Sequence, residues 1–447
     1  MKRLMAISFI IYHSSFIIYP NPAWAQEWTL QQCMQYAVEH NHEAKRAALE
    51  LDNHKAVKSA AIGQFLPAAS ANIGAQYNFG RAIDPETNGY TNISTFNNGY
   101  SVQVSLPVFD GFSRLHALKA AKAGVLMGQA SLRQSQNLAA LSVLQAYTNA
   151  VYYEGLVKMA DEKVKETELL LRQVRLMEEV GRKSLADVAQ VESQKAEADY
   201  ELTCQQNLLA SALLELKKTM AFPMQDTLQL FVRQEQNLFS TGTESFSTRG
   251  EPFLHQELNP ELQASFQQMQ TSRHEWHQAR ASLYPTLSLS AGLSTTFYQT
   301  LHSEAAQPFH TQLKNNMGEY VGATLSIPLF NRLQTITGIR RAKNNYRMAR
   351  ESYEQKLLEL EKLSREAWQD WQGYQKQSQQ MQEKVEADSI AYQLTKRQFE
   401  EGLSTAIDLR TTSAQLLNSK ATLLQCLLMV KVKEYLIRYY RGELIWE

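Results

Sequence analysis

The feature that most constrains this chain is a nine-residue turn that occurs twice. Val180 to Val188 reads V-G-R-K-S-L-A-D-V, and Glu401 to Leu409 reads E-G-L-S-T-A-I-D-L. Gly181 and Gly402 lie 221 positions apart, and so do Asp187 and Asp408. Glycine supplies the left-handed residue that closes a helix. Ser184 with Asp187, and Thr405 with Asp408, have the spacing of a capping box that starts the next helix, with Asp where Glu or Gln is usual. Each copy reads as a hairpin between two long helices, and the chain as an internal duplication of that hairpin.

The helices are long by any globular measure. Phe112 to Glu179 contains no proline, and at 1.5 Å per residue such a run reaches ~100 Å. That length points to a coiled coil or a tube. After the first turn, Val188, Val191, Ala198, Leu202, Leu209, Ala212 and Leu216 step by three and four, a seam that implies a partner helix. In the second half a long helix over Leu333 to Glu400 carries Tyr353, Leu357, Leu360, Ala367, Trp371 and Tyr374. Ala414, Leu417, Ala421, Leu424 and Leu428 make the closing seam.

Between helices the period changes to two. Ile73, Ala75, Tyr77 and Phe79 alternate with small polar residues, as do Tyr100, Val102, Val104 and Leu106. The second half repeats this with Leu287, Leu289, Ala291, Leu293 and Phe297, then with Val321, Ala323, Leu325 and Ile327. Pro107 and Pro328 read as closing the second strand of each pair. One apolar and one polar face suits the wall of a membrane barrel, and equally a soluble hairpin lying on a core.

The start of the chain has the form of a signal peptide: Lys2 and Arg3, a short apolar run, then Ala23-Trp24-Ala25, with the mature chain expected from Gln26. No later apolar run reaches the roughly 18 residues of a membrane helix. The expected division is a signal peptide (1–25), a first repeat (26–222), a linker (223–258), a second repeat (259–441) and a short tail (442–447). The strand pairs fall within 68–109 and 286–330, and the helical hairpins within 112–220 and 332–440.

The 45 basic and 45 acidic residues balance, and no basic block marks a nucleic-acid surface. Cys33, Cys204 and Cys426 form no disulfide framework; Cys204 and Cys426 fall on apolar helix stripes and read as buried thiols, with a bridge between the two halves as the alternative. His274-Glu275-Trp276-His277 spaces its histidines by three rather than the four of a zincin helix, so a solvated face is the better reading. With no nucleophile elbow or phosphate-binding loop, an enzyme is not expected, and no cofactor is called for.

Four strands cannot close a barrel in lipid, so membrane strands must be pooled among copies, and a trimer gives twelve. Here the chain resembles the TolC family of outer-membrane efflux proteins. The resemblance rests on the Leu30–Asn41 helix with Ala37 and Asn41, and on the paired Leu66-Pro67 and Tyr284-Pro285. It rests also on Leu106-Pro107-Val108-Phe109 with Ile327-Pro328-Leu329-Phe330, and on the two G-x-x-[ST]-x-x-D turns.

The resemblance implies an α+β membrane protein, in which a duplicated coiled-coil barrel of long helices continues a trimeric twelve-stranded β-barrel. It implies an export channel for small molecules or proteins, set in outer-membrane lipid and extending into the periplasm. Its partners would be a periplasmic adaptor and an inner-membrane transporter. By position, Asp408, Thr411 and Phe399 fall at the pore gate, although Thr411, Ser404 and Phe399 stand where other family members have an acid, a base and a tyrosine. Gly181, Ser184, Leu185, Asp187, Gly402, Leu403 and Ser404 fall at the adaptor-docking tips. Asp187 and Asp408 read equally well as plain capping acids, and the glycines and leucines as turn geometry. The rivals are a soluble periplasmic coiled-coil scaffold and a channel dedicated to metal ions.

Overall fold

The computed structural model describes residues 27–83, 89–92, 94–231, 259–301 and 307–446. The expected signal peptide and residues 232–258 of the expected linker lie outside them. The first half runs β1 (Glu27–Trp28), α1 (Leu30–His40), α2 (His42–Gly63), β2 (Ala68–Asn78), β3 (Arg81–Ile83), β4 (Tyr90–Asn92), β5 (Thr95–Phe109), α3 (Ser113–Glu179), α4 (Leu185–Met220) and β6 (Gln229–Leu230). The second half runs α5 (Pro260–Ala281), β7 (Thr286–Thr300), α6 (Phe309–Asn315), β8 (Gly318–Ser326), α7 (Gln334–Glu400) and α8 (Ala406–Tyr440). Both α3 and α7 have 67 residues. None of the described helices is long and apolar enough to cross a membrane.

The duplication extends to the caps. Asn41 caps α2 by accepting from the Glu43 amide (2.8 Å), and Asn259 caps α5 by accepting from the Glu261 amide (3.0 Å). Each Asn also donates to the end of its own half's last helix: Asn41 to the Thr219 carbonyl (3.3 Å) and Asn259 to the Tyr440 carbonyl (3.5 Å). The long helices both open from two successive left-handed residues, Gly111-Phe112 and Arg332-Leu333. Asp110 and Asn331 accept the first free amides there, from Arg114 (3.0 Å) and Thr335 (3.3 Å). At Gly111 the need for glycine is also steric, since a Cβ would lie 2.7 Å from the Ala281 carbonyl oxygen.

The strands form one antiparallel sheet in the order β2-β5-β7-β8. Its register aligns Ala69, Val104, Ala291 and Val321 across all four strands on one face, and Ser70, Gln103, Gly292 and Tyr320 on the other. Both faces are largely open to solvent in the single chain. Gly292 leaves room for the Tyr320 ring, whose Cε1 a Cβ would meet at 2.4 Å. One expectation needs correction: Pro107 does not close its strand. β5 continues to Phe109 through a bulge, because Pro107 sits where the register with β7 shifts and no ladder amide is demanded of it.

Two cores serve the helices. The larger lies midway along α3, where Met34, Val143, Leu144, Tyr147, Leu216 and Ile445 bring α1, α4 and the C-terminal residues together. The second lies at the far end, under the two turns. Cys33 is buried in the first, and burial pushes its thiol up to about 12. Cys426 is buried, Cys204 half-buried, and all three are free thiols. The seam expected on α8 shifts over its first half. Leu409, Ser413, Leu416 and Ser419 are buried there, whereas Ala414 is exposed.

Candidate functional site at the paired turns

Both turns end their first helix by the same two backbone bonds. The Gly181 amide donates to the Glu178 carbonyl (2.8 Å) and the Arg182 amide to Met177 (2.7 Å). The Gly402 amide donates to Phe399 (3.1 Å) and the Leu403 amide to Gln398 (2.7 Å). This is the Schellman arrangement, and it places the glycine in the left-handed region: φ is 74° at Gly181 and 79° at Gly402.

Two residues later each chain starts again through a closed capping box. The Ser184 amide donates to Asp187 Oδ2 (3.0 Å) and the Asp187 amide to Ser184 Oγ (3.2 Å). The Thr405 amide donates to Asp408 Oδ2 (3.0 Å) and the Asp408 amide to Thr405 Oγ1 (3.2 Å). Asp408 also accepts from the Thr405 hydroxyl (2.6 Å) and from the Ser404 hydroxyl (3.2 Å). Bonds from the Ser184 backbone and hydroxyl hold the Asp187 carboxyl below the usual range, and bonds from Thr405 and Ser404 do the same for Asp408. Both carboxylates are therefore charged near neutral pH, at the positive end of a helix dipole.

The turns also display apolar side chains that cover nothing in the single chain. Leu185 is 73 % exposed and Leu403 is 75 % exposed. Phe399, by contrast, is 1 % exposed. It packs in the far core with Leu170, Val174, Val188, Val191 and Leu409, so its ring faces the inside of the hairpin pair rather than open space. Thr411 is exposed on α8, one turn beyond Ile407, whose carbonyl its hydroxyl meets at 2.9 Å.

The two hairpins are tied to each other by polar links that sequence reasoning missed. Lys396 donates to Glu166 (3.0 Å), as does the Tyr392 hydroxyl. Arg410 pairs with Glu197 (2.9 Å), and buried Gln194 donates to the Ala406 carbonyl (3.1 Å). Lys163 donates to Ser413. Burial alone would raise the Glu166 carboxyl, but the bonds from Tyr392 and Lys396 outweigh it and hold the pKa below the ordinary value. Each partner is a common surface residue type on a helix, and only the packing of distant segments reveals the pairing.

The sequence profile of a family described as "Outer membrane efflux protein" matches residues 33–221 and 254–434. The chain belongs to the outer membrane efflux protein family. Among solved structures, this outer membrane efflux protein is similar to CusC at 15% identity and a TM-score of 0.81, over 96% of each chain. It is similar to the outer membrane protein VceC of Vibrio cholerae at 14% identity and a TM-score of 0.76, over 93% of this chain and 96% of that one. The Campylobacter jejuni outer membrane channel CmeC matches at 15% identity and a TM-score of 0.77, over 92% of this chain and 85% of that one. No curated protein matches the sequence significantly. At these identities the solved structures establish that the efflux protein shares their fold of long paired helices and an antiparallel sheet.

Within that fold the turns bring together Gly181, Ser184, Leu185 and Asp187 on one hairpin and Gly402, Leu403, Ser404 and Asp408 on the other. They form a small tip that presents two capping carboxylates and two exposed leucines. Among the described residues no group of three or more His, Cys, Asp or Glu side chains is placed to hold a metal ion.

Proposed function

We propose that three copies of this chain pool their sheets into a closed twelve-stranded barrel in the outer membrane. The helices continue it into the periplasm as a conduit that exports small molecules or proteins. The carrying observation is the sheet itself. Its outer strands β2 and β8 have no partner on their far sides among the described residues, and both its faces are largely bare. Open edges and lipid do not coexist, so the apolar face requires closure by further strands.

In this reading the turn pair is the far tip of the conduit. Leu185 and Leu403, with the backbone at Gly181, Ser184, Gly402 and Ser404, dock a periplasmic adaptor that joins the channel to an inner-membrane transporter. Asp187 completes its cap. Asp408, with Thr411 one turn along the same helix, faces the opening, so that three carboxylates converge and disfavour anions. Phe399 supports the gate from behind as its packing anchor.

Membrane fractionation, heat-dissociable migration and planar-bilayer recording test the reading together. The expected outcome is a detergent-requiring trimer that conducts. A monomer that stays dissolved without detergent would overturn it in favour of the scaffold. For the gate, Asp408→Asn is expected to weaken cation preference, and an unchanged preference removes Asp408 from that role. For docking, cysteines introduced by Lys183→Cys or Ser404→Cys are expected to crosslink to a co-expressed adaptor.

A further inference from the structure

The charges of this neutral chain are sorted by position. The stretches next to the sheet on three neighbouring helices are residues 113–124 of α3, 270–281 of α5 and 332–343 at the start of α7. Together they hold nine Lys and Arg and a single acid, Glu275. Among the described residues, only Arg114 of these nine has an ion pair, with Asp110 at 2.9 Å. Toward the tips the pattern is opposite. Lys165, Arg172, Arg175, Lys195, Lys396 and Arg410 each hold a carboxylate at 2.5–3.0 Å.

The lone cations are built around a tryptophan. Arg280 and Lys343 both lie 5.8 Å from the centroid of Trp276, whose ring stacks on Tyr346 at 5.9 Å. His116, His274 and His277 cluster beside them with ring centroids 5.1 and 5.9 Å apart. Burial, together with the nearby Lys119, lowers the pKa of all three, and Arg273 adds to the effect at His274 and His277. With nine cations against one acid, this belt of the helices is a region of positive field.

Its setting points to lipid. Phe112, Leu115 and Leu126 are exposed on the same stripe of α3 as Lys119 and Lys122. That helix lies between α2 and α5, so the stripe is not a chain edge. Apolar side chains interleaved with long cations suit an interface better than a water-filled lumen. At the strand ends Leu329 is 92 % and Phe330 79 % exposed, the aromatic and aliphatic belt expected at a barrel rim. Lys119 stands ~9 Å along its helix from Ser113, while the headgroup layer is about 7 Å deep and the screening length about 8 Å.

We propose that this collar, centred on Lys119, Arg273, Arg280 and Lys343, binds anionic phospholipid headgroups of the leaflet facing the helices and so sets the depth of insertion. The inference rests on the membrane reading above. Its test uses the full-length protein exchanged into mixed micelles of phosphatidylglycerol and phosphatidylcholine, with the retained lipids then quantified. Phosphatidylglycerol is expected at about threefold above its bulk proportion. The quadruple variant Lys119→Gln, Arg273→Gln, Arg280→Gln, Lys343→Gln is expected to fall to the bulk ratio. A control, Lys165→Gln, Arg172→Gln, Arg175→Gln, Lys195→Gln, is expected to keep the enrichment.

A bulk ratio in the wild type overturns the proposal whether or not the variant assembles, and so does enrichment that survives in the quadruple variant. Displacement of the lipid by inorganic phosphate would mark a free-anion site and overturn it too. So would an altered anion-to-cation permeability ratio in the variant with lipid retention unchanged, which would place the cations in the lumen. Wild-type conductance in bilayers that contain both phosphatidylglycerol and phosphatidylcholine separates the two readings. Its absence sinks the conduit, while conductance with bulk lipid sinks only the collar.

Discussion

Lys183 Nζ lies 3.9 Å from the centroid of the Phe399 ring, so a residue of the first turn covers an anchor that belongs to the second hairpin. The two tips are one packed unit. Phe399→Ala is expected to cost that unit about 3–5 kcal/mol. Hydrogen exchange is the direct check. Amides around Val188 should lose protection together with those around Leu409, although the substitution lies in only one hairpin.

The capping boxes carry a pH dependence of defined sign. Asp187 and Asp408 both have carboxyls held below their ordinary value, so the folded tips bind protons less readily than the unfolded chain. Their contribution is complete above the unfolded value of about 3.9 and is lost as pH falls through the lower folded value. Protection at the tips, taken relative to the intrinsic exchange rate at each pH, should therefore fall below about pH 4 before that of the larger core. At neutral pH, Ser184→Ala is expected to cost about 1 kcal/mol in the stability of its own turn.

Gly111 and Arg332 occupy matching left-handed positions, with φ of 66° and 55°, but under different constraints. Gly111→Ala meets both an unfavourable backbone and the Ala281 carbonyl oxygen at 2.7 Å, so a loss of about 2 kcal/mol or more is expected. Arg332→Gly only relieves the backbone, and a gain of about 1 kcal/mol is expected. Thermal unfolding midpoints of the two variants should move in opposite directions.

The links between hairpins should govern how easily the tip widens. Removing Gln194 takes away the side-chain bond that ties the first hairpin to the Ala406 carbonyl, at a cost of about 1 kcal/mol. Removing Glu166 leaves Lys163 and Lys396 facing each other without their shared carboxylate. Gln194→Ala and Glu166→Ala are both expected to lengthen open events in planar bilayers. A double-mutant cycle of Glu166 and Lys396 should give a coupling energy well above that of an exposed pair.

Much of this was legible because the duplication repeats each signal. The turns, the long helices and the four main strands are written in glycine spacing, in proline-free length and in alternation, all of them local. What escaped was long-range or short. The β3 and β4 pair and helix α6 are too brief to set up a period, and they sit in loops whose composition says only that they are polar. The run of β5 through Pro107 depends on a bulge opposite Ser288, which the strand's own residues do not announce. The burial of Phe399 follows from two hairpins meeting, and so do the partners of Glu166 and Gln194.

The two unmatched rims of the sheet have a consequence for inheritance as well as for architecture. On the proposed pooling of sheets, a chain that does not complete its own wall is expected to mature only in company, with supply mattering more steeply than in proportion. A copy with one spoiled rim is then worse than a missing copy. Made alongside sound chains, it is expected to be dominant, disabling every ring it joins.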